Sequence, residues 1–168
     1  MMRVLVLSDT HLRPGLRKRL PDEVYAELER ADAVLHAGDI VTADVLHELS
    51  GFAPVHAVLG NNDVDPALSH LPERAVLDLD GVRVGMVHDS GPSTGREGRM
   101  RRLFPHADVV VFGHSHIPWD RAGIDGQLLF NPGSATERRA QPEHTYGVLE
   151  LEDGRVAAHR IVAIPRGS

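Results

Sequence analysis

Cysteine is absent from this chain, which excludes disulfide staples and thiolate metal sites. Any metal must therefore be held by imidazole, carboxylate, amide or water. Aromatic residues are scarce, at 4%, so the core has to be built from Val, Leu, Ile and Ala. Basic charge is short as well: 18 Lys and Arg against 24 Asp and Glu give a formal net charge of -6. That balance argues against a general polyanion-binding surface and makes a nucleic-acid polymer a poor partner. No apolar run approaches the roughly 20 residues of a membrane span, and the opening "MMRVLVLSDTH" carries no small-residue cleavage pattern. A cytoplasmic protein with no membrane partner is expected. What the chain does have is histidine, 11 in 168 residues, and enough length to bury the core of one domain. One domain over residues 1–168 is expected, with "IPRGS" at its end frayed.

The first part alternates short apolar runs with amphipathic stretches. "RVLVLS" (3–8) fits a buried strand, and "PDEVYAELERA" starts a helix at Pro21 with Val24, Tyr25, Leu28 and Ala31 at helical spacing. "DAVLHA" is a second strand. Thr42 is placed to cap "ADVLHELS", which stops at Gly51, and "PVHAVLG" follows as a third strand. This β-α-β-α-β order predicts a parallel sheet with helices packed on it. After about Leu71 the pattern changes, and "AVLDLDGVRVGMVH" alternates on both sides of Asp80-Gly81 as a hairpin should. Asp125-Gly126 and Asp153-Gly154 repeat the device, with a helix over 95–104 and a strand over 108–112 between them. The reading is one mixed α/β domain in two packed sheets.

Five of these strands end in residues suited to a hard or borderline metal. "LSDTH" offers Asp9 and His11, "HAGD" Asp39, "LGNND" Asn61, "MVHD" His88 and "FGHSH" His114 and His116. In α/β sheets the ligand crevice lies beyond the carboxyl ends of the strands. Residues i and i+2 of extended chain share a side, so Asp9 with His11 and His114 with His116 can each converge on an ion. Gly38, Gly60 and Gly113 admit sharp turns and close approach there. Seven side chains are too many for one ion that also leaves room for substrate. They suit two divalent ions with Asp39, alone on its strand between the pairs, as the bridge. An oxygen and imidazole shell without sulfur suits Mn, Fe, Zn or Ni better than Ca, and Mn is the expected ion.

In order and spacing, "DTH", "GD", "GNND", the His of "MVHD" and "GHSH" resemble the signature of the calcineurin-like metallophosphoesterases. "NPGSATERR" and "YGVLELEDGRV" resemble the carboxyl end of their small, uncapped phosphodiesterase subfamily. The resemblance implies a four-layer αββα sandwich of two mixed β-sheets flanked by helices. It implies one ion on Asp9, His11 and His116, a second on Asn61, His88 and His114, and Asp39 between them. A hydroxide bridging the ions would then attack a small-molecule phosphodiester. Asp39, Asn61 and Asn62 stand at the reacting centre, but Asn62 replaces the histidine of the usual "GNHD" or "GNHE" and its amide cannot supply a catalytic proton. Asp89 replaces a usual glycine and adds negative charge.

Blander readings stand beside these. Asn62 also reads as an ordinary turn residue. Arg13, Arg138 and Arg139 could reach a phosphate or be simply solvated. Trp119 either lines the mouth or plugs a sheet edge, and the other seven histidines, His36 among them, carry no metal spacing. The runner-up function is a non-catalytic scaffold, since this fold also serves in a retromer subunit. Within enzymes, a phosphomonoesterase or nucleotide pyrophosphatase is the competitor, and a homodimer is an arrangement the subfamily allows.

Overall fold

The computed structural model describes residues 1–12 and 19–166. The contact expected of Arg13, and the last two residues of the frayed end, fall outside the described residues. The chain opens with β1 (Met2–Leu7), α1 (Asp22–Leu28), β2 (Ala33–His36), α2 (Ala43–Ser50) and β3 (Val55–Ala57). It continues with β4 (Arg74–Leu79), β5 (Val82–Val87), α3 (Arg96–Leu103), β6 (Val109–Val111), β7 (Trp119–Ala122), β8 (Leu128–Asn131), β9 (His144–Glu152) and β10 (Arg155–Ile164). One sheet runs β10-β9-β1-β2-β3 and the other β4-β5-β6-β8-β7. The β1, β2 and β3 strands pair in parallel, as do β5, β6 and β8, while β9, β10, β4 and β7 are antiparallel additions.

Alternation of side chains along each strand sets the layers. Val4, Val6 and Leu35 of the first sheet meet Val84, Met86, Val109 and Val111 of the second to form the central core. Their neighbours Leu5, Leu7 and Val34 face outward and are covered by Val24 and Leu28 of α1 and Leu49 of α2. On the far side, Val110, Phe112 and Leu129 are covered by Met100 and Phe104 from α3 and its end. The architecture is the four-layer αββα sandwich. Each large side chain so buried contributes about 1.5–3 kcal/mol of hydrophobic stabilisation, which lets a chain poor in aromatics hold together.

Local details depart from expectation in three places. The α1 helix stops at Leu28 instead of running to Ala31, and it buries Glu27 as well as its apolar face. Arg3 binds that carboxylate from the strand below, and Arg30 reaches it at 2.8 Å. Burial acts to raise the Glu27 pKa, but the hydrogen bonds and charges of Arg3 and Arg30 together outweigh it and the group sits below its ordinary value. Thr42 occupies the cap position of α2 without capping, because its hydroxyl points to Leu12 O. The cap is long-range: the Ala43 N–H donates to the Asp65 carboxylate at 3.0 Å. Finally, Asp80-Gly81 and Asp153-Gly154 form two-residue turns, but Asp125-Gly126 sits inside a five-residue loop, since Ala122 pairs with Leu128.

Candidate metal centre

The strand directions place the five expected chain ends together. The β1, β2 and β3 strands of one sheet and β5 and β6 of the other deliver Asp9 and His11, Asp39, Asn61, His88, and His114 with His116 to a single edge of the sandwich. The backbone there is not the extended chain expected from the i, i+2 spacing. Asp9 (φ 55°), His11 (φ 44°), Asp39 (φ 58°), His114 (φ 72°) and His116 (φ 62°) all adopt the left-handed conformation. Each costs on the order of 1 kcal/mol, less for Asp and His than for bulkier residues. Alternate residues converge because each turns back on itself.

Long-range bonds hold this strained backbone. The Asp9 N–H donates to Gly38 O at 2.9 Å and the His11 N–H to Asp39 O at 3.0 Å, lacing the β1 turn to the β2 turn. The Gly113 N–H donates to His88 O at 2.9 Å, and Ser134 and Thr136 hydroxyls donate to Asp9 O and Thr10 O. Asp63 does most for Asp39: its carboxylate accepts the N–H groups of Asp39 (2.9 Å), Ile40 (2.8 Å), Val41 (2.7 Å) and Gly60 (2.7 Å). Val41 is a β-branched residue at φ 80°, a conformation that needs such restraint. The glycines fit as expected, since a Cβ on Gly60 would strike the Asp39 carboxylate and one on Gly113 would strike Ser8 and Asp9.

Two clusters result. In the deeper one, the His11 and His116 Nε2 atoms lie 3.8 and 3.5 Å from Asp9 Oδ1, and His11 Nε2 is 3.3 Å from Asp39 Oδ2. In the more open one, Asn61 Oδ1 lies 3.0 Å from His88 Nε2 and 3.2 Å from His114 Nδ1. Asp39 Oδ2 is 3.4 Å from His88 Nε2, so it stands between the clusters. Asp9 Oδ2 accepts from Ser8 Oγ (2.7 Å) and the His114 N–H (2.9 Å), and Asp39 accepts the Asn62 N–H on Oδ1 and the Asn62 side-chain amide on Oδ2, both at 2.9 Å.

At this centre three buried atoms have no hydrogen-bond partner among the described residues: Asp9 Oδ1, His11 Nε2 and His116 Nε2. A buried polar atom without a partner calls for an explanation, and three converging ones describe the coordination shell of a cation. The imidazoles are oriented for that role, because His88 Nδ1 is bonded to Ala37 O (2.7 Å) and His116 Nδ1 to Glu137 O. His11 Nδ1 lies 3.6 Å from the Glu137 carboxylate. With the opposite nitrogen so engaged, Nε2 is turned toward the centre. Asp9, His11 and His116, and Asp9, Asp39 and His88, each present ligand atoms close enough to share one ion.

Charge is mutually reinforced here. Burial acts to lower the His11 pKa, but Asp39 and Asp9 overcome it and lift it to about 9. Burial acts the other way on Asp39, yet His11, His88 and Asn62 hold its carboxyl well below the usual carboxylate range. His36, read from sequence as unremarkable, is fully buried behind the centre. Its Nδ1 accepts the Gly38 N–H at 3.2 Å, so Nε2 carries the proton and faces Thr10 Oγ1 at 3.0 Å. Burial pushes its pKa down to about 4.

The remaining candidates are less central. Asp89 is exposed, 3.8 Å from His114 Nε2, and with Glu73, Asn61, His88 and His114 lines an open cleft of about 330 Å³. Arg138 follows Glu137 but directs its guanidinium to Gln141 O at 2.6 Å, and Arg139 is exposed. Trp119 seals the edge strand β7, with Arg96 and Arg121 each over its ring at 4.6 and 4.4 Å. Asp63 could have been suspected from its place in "GNND", where an Asx side chain often binds nearby backbone. Nothing local in the sequence marks His36, Ser134 or Glu137, which act across long separations.

Comparison with known proteins identifies the family. The calcineurin-like phosphoesterase superfamily domain matches residues 2–154. A probable metallophosphoesterase of Methanothermobacter thermautotrophicus is 34% identical over 140 residues, 82% of this chain and 80% of its own. Vps29 of Entamoeba histolytica, solved in complex with zinc, has the same fold, with a TM-score of 0.76, 22% identity, and coverage of 97% of this chain and 98% of its own. An archaeal phosphodiesterase has a TM-score of 0.70 and 24% identity over 97% of this chain and 100% of its own. This chain belongs to the calcineurin-like phosphoesterase superfamily.

Proposed function

We propose that the protein is a cytoplasmic, binuclear metal-dependent phosphodiesterase acting on a small-molecule diester. The observation that carries this reading is the convergence of the unpartnered Asp9 Oδ1, His11 Nε2 and His116 Nε2 beside Asp39. Asp9, His11 and His116 would hold one divalent ion, Asn61, His88 and His114 the second, and Asp39 would touch both, with Mn the preferred metal. When bound, such a pair supplies an acidified water as nucleophile and positive charge opposite the phosphoryl oxygens.

The chain's own part is orientation and selection. Ser8 and the His114 N–H fix one oxygen of Asp9 and leave the other facing the centre. Asn62 donates to Asp39 through both its backbone and its amide. Its role is therefore to aim the bridging carboxylate, and the leaving group must depart with help from solvent or from its own low pKa. Glu73 and Asp89 beside Asn61 and His114, together with Glu137 at His11, put negative charge around the opening. A monoanionic diester meets less repulsion there than a dianionic monoester, which favours the diesterase over the phosphomonoesterase reading.

The test is turnover of bis(p-nitrophenyl) phosphate with metal analysis of the purified protein. Exhaustive EDTA should stop the reaction and Mn should restore it. Asp39→Asn should lower turnover by at least about 10³-fold with the circular dichroism spectrum retained. Activity indifferent to chelation or to Asp39→Asn would overturn the assignment. A protein that retains no metal would belong with the scaffolds, and faster cleavage of p-nitrophenyl phosphate than of the diester would make it a monoesterase.

A further inference from the structure

Charge is distributed unevenly along the edge that carries the metal centre. On the β3 side the cleft is acidic, through Glu73 and Asp89. On the β9–β10 side lies a separate cavity of about 380 Å³ whose charged lining, among the described residues, is Arg19, Arg138 and Arg166 against the carboxylate of Glu143. That volume is at the lower end of the range for small-ligand pockets, about 300–1,000 Å³.

The cavity is built onto the centre. Thr136 and Ala135 form part of its wall, and the same short segment binds the Asp9 turn through Ser134 and Thr136. Glu137, between Thr136 and Arg138, touches both His11 and His116. His144 and Ile164, also in the wall, are the paired ends of β9 and β10 at the edge where β1 ends. Counting strands from β1 through β9 to β10 puts the cavity about 10 Å from the Asp9 turn, two inter-strand spacings. Arg138 is anchored by Gln141 O, Arg166 by Pro142 O at 3.1 Å, and Arg19 by Asp22 at 3.5 Å with its guanidinium over the Tyr25 ring at 4.6 Å. Each therefore keeps donors to spare, because a guanidinium carries five. Three arginines with unspent donors suit a phosphate dianion, which they can bind bidentately.

We infer that this arginine cavity binds a terminal phosphate of the substrate, so that the enzyme selects diesters carrying a second phosphate several atoms from the scissile one. The inference rests on the phosphodiesterase reading and adds a direction to it. The phosphorylated end lies toward β10 and the leaving group departs over the acidic cleft beside β3.

Two measurements test it. The first compares kcat/KM for thymidine 5′-(p-nitrophenyl phosphate) with and without a 3′-phosphate. The phosphorylated compound should be preferred at least about tenfold, and Arg138→Gln/Arg166→Gln should bring that ratio close to one. A ratio near one in the unaltered protein, or one that the double variant leaves intact, overturns the subsite while the diesterase reading stands. The second measurement is calorimetric titration of inorganic phosphate into the EDTA-stripped protein, which reads the cavity even if neither ester is cleaved. Saturable binding abolished in the double variant is expected. No binding, or binding unaffected by the two substitutions, removes the subsite. Both arginines are solvent-accessible and outside the core, and circular dichroism confirms that the variant is folded.

Discussion

The two edges of the sandwich use the same unusual backbone conformation for different purposes. At the amino edge, Asp80-Gly81, Asp125-Gly126 and Asp153-Gly154 take φ of 52° and 80°, 53° and 78°, and 53° and 75°. These pairs turn the chain in hairpin loops, and they are the residue types that accept left-handed geometry at least cost. At the carboxyl edge, Asp9, His11, Asp39, His114 and His116 are just as left-handed, but no tight hairpin requires it. Strain at one edge is local and met by composition. At the other it is sustained by bonds from distant segments, and what it achieves is the convergence of ligand atoms.

That contrast is sharpest for the carboxylates serving each edge. Asp63 accepts four backbone N–H groups around Asp39, whereas Asp78 accepts one, from Gly81 at 2.9 Å on an exposed turn. Asp63→Ala should leave four donors short of an acceptor. At about 1–3 kcal/mol for each buried unsatisfied donor, with water replacing some, stability should fall by about 4 kcal/mol. Metal content should fall with it, because Asp39 is no longer held. Asp78→Ala should cost less than about 1 kcal/mol and leave metal content alone. Equal losses by urea denaturation would erase the distinction between the edges.

Acid should separate the edges next. Burial keeps His36 neutral in the folded protein down to about 4, while an unfolded imidazole takes its proton near 6.5. Between those values the unfolded chain binds more protons, so stability rises with pH across the interval. Its contribution is complete above about 6.5 and lost as the pH falls through 4, a change of about 3 kcal/mol. His36→Asn can keep an acceptor for the Gly38 N–H while removing the titration. Its denaturation midpoint should depend less on pH between 6.5 and 4 than that of the unaltered protein, and an identical profile would show that His36 is not the group responsible.

How far the sequence could be read follows from the same contrast. The parallel strands, the two-residue turns and the identities of the seven converging side chains were visible because each is a local pattern: apolar runs, Asp-Gly pairs, polar residues just past a strand. The conformation of the candidate ligand residues was not, since nothing in "SDTH" or "GHSH" distinguishes extended from left-handed backbone. The positive φ of these residues belongs to the fold, where bonds such as His114 N–H to Asp9 Oδ2 and Asp9 N–H to Gly38 O hold it. The buried Glu27 escaped for a similar reason. Its partner Arg3 lies 24 residues away, and helical periodicity carries no record of a salt bridge from the strand beneath. Thr42 lost its capping role to Asp65, 22 residues beyond Ala43, a competition that cannot be judged without the fold.

A smaller effect than that of Asp63→Ala is expected from a glycine on the amino edge. Gly126 sits at φ +78°, and a Cβ placed there would meet nothing within 4 Å. Gly126→Ala therefore introduces backbone strain without a clash, costing about 1–2 kcal/mol. Gly60 is the opposite case, free of positive φ but with its hydrogen against the Asp39 carboxylate, so Gly60→Ala acts by collision where Gly126→Ala acts by conformation. Thermal denaturation should register Gly126→Ala as a drop of a few degrees for a domain of this size, with metal content and diester turnover unchanged. If turnover fell along with the melting temperature, the amino-edge loops would be coupled to the ligand turns through β8 and β6, and strain at the two edges could no longer be treated as independent.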